Sequence, residues 1–209
     1  ADAGSEPVLL TNCSWEPVHE ISWVSDVITT NAFAEHIPGV MPTSPGRIGV
    51  ANYESFSAPI YRALARKFPH AEIVDVAHVL YGVRQVKSPT EIEVIRKCAK
   101  IADMGAEAFL SAIEYGVTER EILVAVESAL KLNGSEEVSY TTQVGSGPRT
   151  YGVNPYATDR RLRSGDMVLL DCGPTYCGYR GDMSRTTVVG PATADARKLL
   201  ETTADMLDA

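Results

Sequence analysis

The sequence predicts a mixed α/β (α+β) fold in two parts. Three features carry that expectation. Short β-prone runs alternate with a helical stretch through the first third. Two capping boxes open amphipathic helices in the middle. Near the end, two β-prone runs flank a Gly/Pro-containing turn.

In order, Pro7-Val8-Leu9-Leu10-Thr11 reads as a short buried strand, and Ile21–Val24 and Asp26–Thr30 are β-prone. Pro38 to Gly46 is proline-rich and reads as a loop. Arg47–Ala51 is a further strand. Ser57 to Phe68 places Ile60, Leu64 and Phe68 on one helical face, and Pro69 stops it. Glu72–Val76 is another strand, so a mixed sheet covered by helix is expected here. Val83 to Lys87 is the junction to the second part.

Ser88-Pro89-Thr90-Glu91 is a strong helix start, with a capping Ser, a Pro in the first turn and a Glu completing the box. The expected apolar face runs through Ile92, Ile95, Cys98, Ile101, Ala102, Phe109 and Ile113, with Gly116 ending the helix. A second box, Thr118 and Glu121, opens a helix that carries Ile122, Val126, Ala129 and Leu130 and stops at Asn133-Gly134. Ser139 to Arg149 reads as a strand running into a loop. Gly145-Ser146-Gly147 lacks the Lys-Ser/Thr of a phosphate loop and reads as a plain turn. Thr193 to Ala209 is expected to be helical.

Met167–Leu170 ends in Asp171, and a second run beginning near Tyr179 carries Asp182 and continues to Val189. With the turn centred between Tyr176 and Cys177, the two acids sit directly opposite on one face, with Cβ atoms about 5 Å apart. Two carboxylates held so close repel and lose solvation. A shared proton or a divalent cation would neutralise them. The plainer alternative is that Asp171 ends a strand and Asp182 is solvated.

The whole pattern is more specific: Gly165-Asp166, Asp171-Cys172-Gly173, then Asp182 eleven positions after Asp171, followed by Met183-Ser184-Arg185-Thr186. It resembles the pita-bread metallopeptidases, which include methionine aminopeptidase, aminopeptidase P, prolidase and the creatinase-like hydrolases. Lys87 to Ile92 is similar to that family's start of the catalytic domain. The resemblance implies a partial creatinase/prolidase-like N-terminal domain over residues 1–85 and the first half of a pita-bread catalytic domain over 86–209. It implies divalent metal, two ions of Mn, Co, Zn or Fe, with Asp171 and Asp182 as ligands and Arg185 and Thr186 as supports behind them. The family's remaining ligands, a His and two Glu, and its general base are expected in the second half of the fold, outside these residues. The chain's histidines, His19, His36, His70 and His78, all precede the hairpin region and read as surface or capping residues. The family's peptidases carry a substrate-binding His on the loop upstream of the first Asp; here the stretch is Tyr151–Tyr156, and Val153 or Asn154 takes its place. Asn can hydrogen-bond a carbonyl or oxyanion but cannot transfer a proton near neutral pH. Asn154 and Tyr156 are the substrate-binding candidates; Tyr140 and Tyr151 fit a pocket wall or plain packing equally.

Three functions follow as expectations. The first is a metal-dependent hydrolase resembling Xaa-Pro aminopeptidase or prolidase, cleaving an amide bond with a metal-activated water. The second is a creatinase-like enzyme acting on a small non-peptide molecule. The third is a catalytically inactive binding module. This chain alone is expected to be inactive, to pack against the remaining half of the catalytic domain, and to form a homodimer. The substrate is expected to be a short peptide or small molecule.

Composition bounds these readings. The chain has 209 residues, 44% hydrophobic and 22% charged, ordinary for a globular protein. A net charge of −8 and the lack of basic runs exclude nucleic acid and anionic membrane as expected partners. No signal peptide is read at Ala1–Glu6 and no apolar run reaches membrane-spanning length, so a cytoplasmic location is expected. Cys13, Cys98, Cys172 and Cys177 fit no zinc spacing and are expected to be mainly buried free thiols, with a Cys172–Cys177 bridge the minor alternative.

Overall fold

The computed structural model describes residues 6–12, 18, 20, 22–152 and 155–207. Chain contacts divide it into two compact units, Ala1–Val86 and Lys87–Ala209. The expectations for Cys13, His19 and Ile21 lie outside the described residues.

In the first unit, β1 (Val8–Thr11) pairs in parallel with β2 (Asp26–Thr29), and β3 (Arg47–Val50) with β4 (Glu72–Asp75). The described strands thus form two parallel pairs and no antiparallel ladder, where the sequence suggested a mixed sheet. Between β3 and β4 runs α2 (Ala58–Lys67), because parallel neighbours require a crossover connection. Its Leu64 packs with Ile48 and Phe68, all buried. Earlier lies the short α1 (Phe33–His36), which the sequence reading passed over. Ser22–Val24 forms a local turn closed by the Ser22 hydroxyl instead of the expected strand. After β4 comes α3 (Ala77–Gln85), also missed. Val76, Val79, Leu80 and Val83 follow the helical period, yet Val79, Leu80, Tyr81 and Val83 are all exposed. Asp75 starts it by accepting from the Ala77 N–H at 2.8 Å.

The second unit opens with α4 (Pro89–Ala112) and α5 (Glu119–Leu132). Both capping boxes form as the spacing requires: Ser88 with Glu91, and Thr118 with Glu121. A hydrogen bond from the Tyr179 hydroxyl, with those from Ser88, holds the Glu91 carboxyl down at about 2. The buried face of α4 is Cys98, Ile101, Ala102, Gly105, Ala106 and Phe109. Ile92 and Ile95, expected on that face, are over a third exposed. At Gly105 an added Cβ would come within 2.7 Å of Leu130, so the two helices approach there as closely as Gly allows. Helix α4 stops at Ala112, ahead of Gly116.

The sheet is antiparallel in the order β5-β6-β9: β5 (Gln143–Ser146), β6 (Met167–Cys172) and β9 (Met183–Val188). Two further short strands, β7 (Thr175–Tyr176) and β8 (Tyr179–Arg180), form the hairpin tip. Val144, Val168, Leu170 and Cys172 face the helices and join Phe109, Ile122, Val126 and Leu130 in one core. The opposite face carries Gln143, Gly145, Leu169, Asp171, Ser184 and Thr186. Residues 194–207 form α6, with no buried residue described. No described helix is long and apolar enough to cross a membrane.

The turn between β7 and β8 is Cys177-Gly178, both at positive φ, 48° and 75°. That is the backbone a tight two-residue hairpin requires. Glu136 holds it by accepting from the N–H groups of Cys177 at 2.7 Å and Gly178 at 3.2 Å. The turn therefore lies one residue later than the sequence suggested. Cys98, Cys172 and Cys177 are free; the first two are buried and Cys177 is exposed. Burial, with Asp171 beside it, pushes the Cys172 thiol up to about 12, so it stays protonated.

The two sides of α4 yield a stability test. Phe109→Ala, at a fully buried site, is expected to cost about 3–5 kcal/mol. Leu110→Ala, half exposed one residue on, is expected to stay within about 0.5 kcal/mol. Urea midpoints of the two variants check the facing of the helix; equal losses would place it wrongly.

Candidate metal centre

Moving the hairpin turn by one residue moves the pairing by two. Asp171 stands opposite Ser184, and Asp182 lies just before β9, diagonal to Asp171 instead of opposite it. Because strand side chains alternate with period two, the diagonal keeps both acids on one face. The expected direct pair is thus corrected to an offset pair.

Tyr140 joins them. Its hydroxyl lies 2.6 Å from Asp171 Oδ1 and 2.9 Å from Asp182 Oδ1. Burial, then the two carboxylates, push the phenol well above its ordinary range, so it remains a donor. A phenol has one hydrogen and donates to one oxygen at a time. Two acids sharing one proton donor still call for positive charge, and carboxylate oxygens suit a hard divalent cation. The pair fits part of a metal site. Among the described residues no third His, Cys, Asp or Glu joins it, so most coordination positions are left open.

Thr186 sits on the carboxylate face, opposite Leu169. Arg185 pairs with Leu170, on the other face, and donates to the Ser184 carbonyl at 2.7 Å. The structure therefore brings Thr186 to the side of the two acids and directs Arg185 away from it. His36, His70 and His78 are exposed in the first unit.

The loop after β5 runs onto the same face. Pro155 packs over Gly145, where an added Cβ would come within 2.7 Å of its ring. Gly145 pairs with Leu169, one same-face step from Asp171. Pro148, Arg149, Gly152, Pro155, Tyr156 and Thr158 of this loop line a hollow of about 360 Å3. Tyr156, a substrate-binding candidate, lies in its wall and is two-thirds exposed. Asn154, the other, lies outside the described residues. Asp182 borders a separate hollow of about 270 Å3 against Ile95, Cys98 and Asp103 of α4.

The loop's ends are held from below by Glu119, the first residue of α5, which is fully buried. Its Oε1 accepts from the Ser146 N–H at 2.9 Å and hydroxyl at 2.6 Å. Its Oε2 accepts from the Thr158 N–H at 2.9 Å and hydroxyl at 2.6 Å. Arg149 Nε lies 3.3 Å from Oε1 but is not aligned for a hydrogen bond. Burial alone would raise this carboxyl; the hydrogen bonds from Ser146 and Thr158, with Arg149, outweigh it and hold it below the usual carboxylate range. Nothing in the local sequence distinguishes Glu119 from an ordinary first-turn acid, and Tyr140 was one of several tyrosines.

Comparison with known proteins decides the family. The model of metallopeptidase family M24 matches residues 93–209, more than half of the chain. The chain belongs to metallopeptidase family M24. This M24 chain is 35% identical to a Xaa-Pro dipeptidase of Pyrococcus furiosus over 130 residues, 62% of this chain and 37% of that protein. It is 33% identical to a creatinase of a Bacillus species over 149 residues, 68% of this chain and 36% of that one. The solved prolidase of Pyrococcus horikoshii superposes with a TM-score of 0.81 at 28% identity, over 92% of this chain and 54% of the prolidase. The second unit is therefore part of a pita-bread fold, and the structural match extends into the first unit. The M24 chain spans less than two-fifths of the curated relatives named here.

Tyr140→Phe removes the shared hydroxyl and little else. In the complete protein it is expected to weaken Mn(II) affinity about 10–100-fold by titration calorimetry, with an unchanged thermal midpoint. Unaltered affinity would reduce the tyrosine to a space-filler.

Proposed function

We propose that this chain supplies one side of the active site of a metal-dependent hydrolase that cleaves the amide bond of short Xaa-Pro peptides. The observation that carries the reading is the convergence of Asp171 and Asp182 on one sheet face, joined through the Tyr140 hydroxyl. Membership of the M24 metallopeptidases and the likeness to a Xaa-Pro dipeptidase support it.

In this reading Asp171 and Asp182 hold a pair of divalent ions, with the remaining ligands and the general base supplied by polypeptide outside these residues. When bound, such ions polarise a carbonyl and activate water for attack. The part of this chain is to fix geometry. The hairpin sets the two carboxylates at a constant offset, and Tyr140 orients the two oxygens it touches. Thr186 flanks them on the same face. The hollow beside Pro155 and Tyr156 receives the substrate, and Asn154 is the side chain of this stretch whose chemistry suits a hydrogen bond to its carbonyl oxygen. Packing of this unit against the rest of the catalytic domain, and homodimer formation, belong to the same proposal.

A second reading keeps the fold and changes the substrate. The stretch Tyr151–Tyr156 contains no histidine, and the creatinase relative matches nearly as well as the dipeptidase. The missing histidine favours a creatinase-like enzyme acting on a small non-peptide molecule, and the creatinase relative is compatible with it. An inactive binding module is the remaining possibility for the same face.

The test is substrate competition in the complete protein, after chelation and re-addition of Mn, Co, Zn or Fe. Xaa-Pro dipeptides are expected to turn over, and Asp182→Asn to lower kcat/KM by at least about 100-fold, the upper end of what a support behind a ligand is worth. Turnover of small amides with no action on any proline peptide would transfer the assignment to the second reading. Metal-loaded protein inert to both classes would leave the binding module.

A further inference from the structure

We propose that Glu119 is a positioning residue: its carboxylate latches both ends of the pocket loop, residues 147–157, and thereby sets how tightly substrate is held beside the Asp171–Asp182 face. The substrate half of this inference rests on the hydrolase reading; the latch rests on geometry alone.

A fully buried carboxylate is tolerated only when its oxygens are well bonded. Here the bonds are divided in an informative way. One oxygen takes both donors of Ser146, the last residue before the loop. The other takes both donors of Thr158, the first residue after it. A carboxylate needed only to start α5 would bond within its own first turn, and Thr118 and Glu121 already do that. The Glu119 bonds instead span 27 and 39 residues of sequence and close the base of one loop.

The loop itself carries the pocket. From Ser146, on the helix side of the sheet, it passes over Gly145 on the carboxylate side, where Pro155 seats, and returns to Thr158. Arg149 extends the latch into the wall: its Nε faces Glu119, and its Nη2 donates to the Tyr156 carbonyl at 2.6 Å. Behind Ser146, Arg160 donates to its hydroxyl at 2.6 Å while holding Asp166 bidentately at 2.7 and 2.9 Å. Both ends of the loop and its pocket-facing residues thus refer to one buried group. Movement of that group shifts the wall relative to Asp171, and small misplacements of a substrate-positioning wall have large kinetic effects.

The decisive variants cut one end each. Thr158→Val keeps the side-chain shape and removes the hydroxyl, which donates to Glu119 and accepts from the Arg160 N–H at 3.2 Å; Thr158→Ser restores it. Hydrogen exchange in peptides covering residues 147–157 is expected to quicken about tenfold or more in T158V, with α4, α5 and β6 unchanged, and to return to native rates in T158S. Ser146→Ala cuts the other end and provides the same comparison should T158V fail to fold. On the substrate found for the complete protein, T158V is expected to raise KM about tenfold with kcat within about twofold, again rescued by T158S. Native exchange rates in the loop, or acceleration spread equally over the helices, would overturn the latch. A latched loop with kcat and KM both at native values would overturn its role in holding substrate. If the protein hydrolyses no amide, the hydrolase reading fails on that ground, and the exchange pattern still decides the latch.

Discussion

Burial of a charge is the constraint on which the second unit's working surface depends. Glu119 has no solvent contact, so its position is dictated by its donors, and those donors bracket the pocket loop. Breaking such a group's partners leaves an uncompensated buried charge, which costs far more than loss of a surface pair. The helix cannot shift relative to the loop without that penalty. Side-chain bonding is reinforced by the backbone: the Glu119 N–H donates to the Arg160 carbonyl and the Arg120 N–H to the Thr158 carbonyl. The N-terminus of α5 is thereby tied to the returning arm of the loop through main chain and side chain together.

The same logic of fixed geometry applies to the carboxylates. Asp171 and Asp182 lie on opposite arms of a hairpin whose register is set at its tip by Cys177-Gly178 and Glu136. A slip of one residue would send one acid to the core face, against Leu170 and Cys172. A slip of two, the difference between the expected and observed turns, changes a direct pair into a diagonal one and leaves both on the same side. Tyr140 then bridges the wider gap.

The helices of the second unit were legible because their signals are local. Ser88/Glu91 and Thr118/Glu121 declare their caps within four residues, and Phe109, Ile122, Val126 and Leu130 follow the helical period into the core. The acids were legible because their spacing and the Ser184-Arg185-Thr186 run form one pattern. What could not be read depends on long-range pairing. Glu119 is a first-turn acid by sequence and a buried latch only through Ser146 and Thr158. Tyr140 becomes a bridge only when β6 and the start of β9 converge. The turn position depended on Glu136, which lies far from it in sequence. In the first unit, α3 is short and its start lacks a side-chain capping box, so its apolar period at Val76, Val79, Leu80 and Val83 carries no boundary signal like those of α4 and α5.

The distribution of polar groups in the sheet shows why one chain can hold precise carboxylates without a complete site. The helix-facing side is filled by Val144, Val168, Leu170 and Cys172 and is closed by α4 and α5. That core, with the ladders to β5 and β9, fixes β6, and β6 carries Asp171. The other side runs from the apolar Met167, Leu169 and Val188 to the polar Asp171 and Ser184. The core therefore draws on one face and the paired carboxylates on the other, and the two do not compete for the same residues. Coupling between them passes through the edge of β5, where Ser146 points to Glu119 and Gly145, its neighbour, receives Pro155. Alternation along a single strand thus joins the buried charge beneath the sheet to the pocket wall above it.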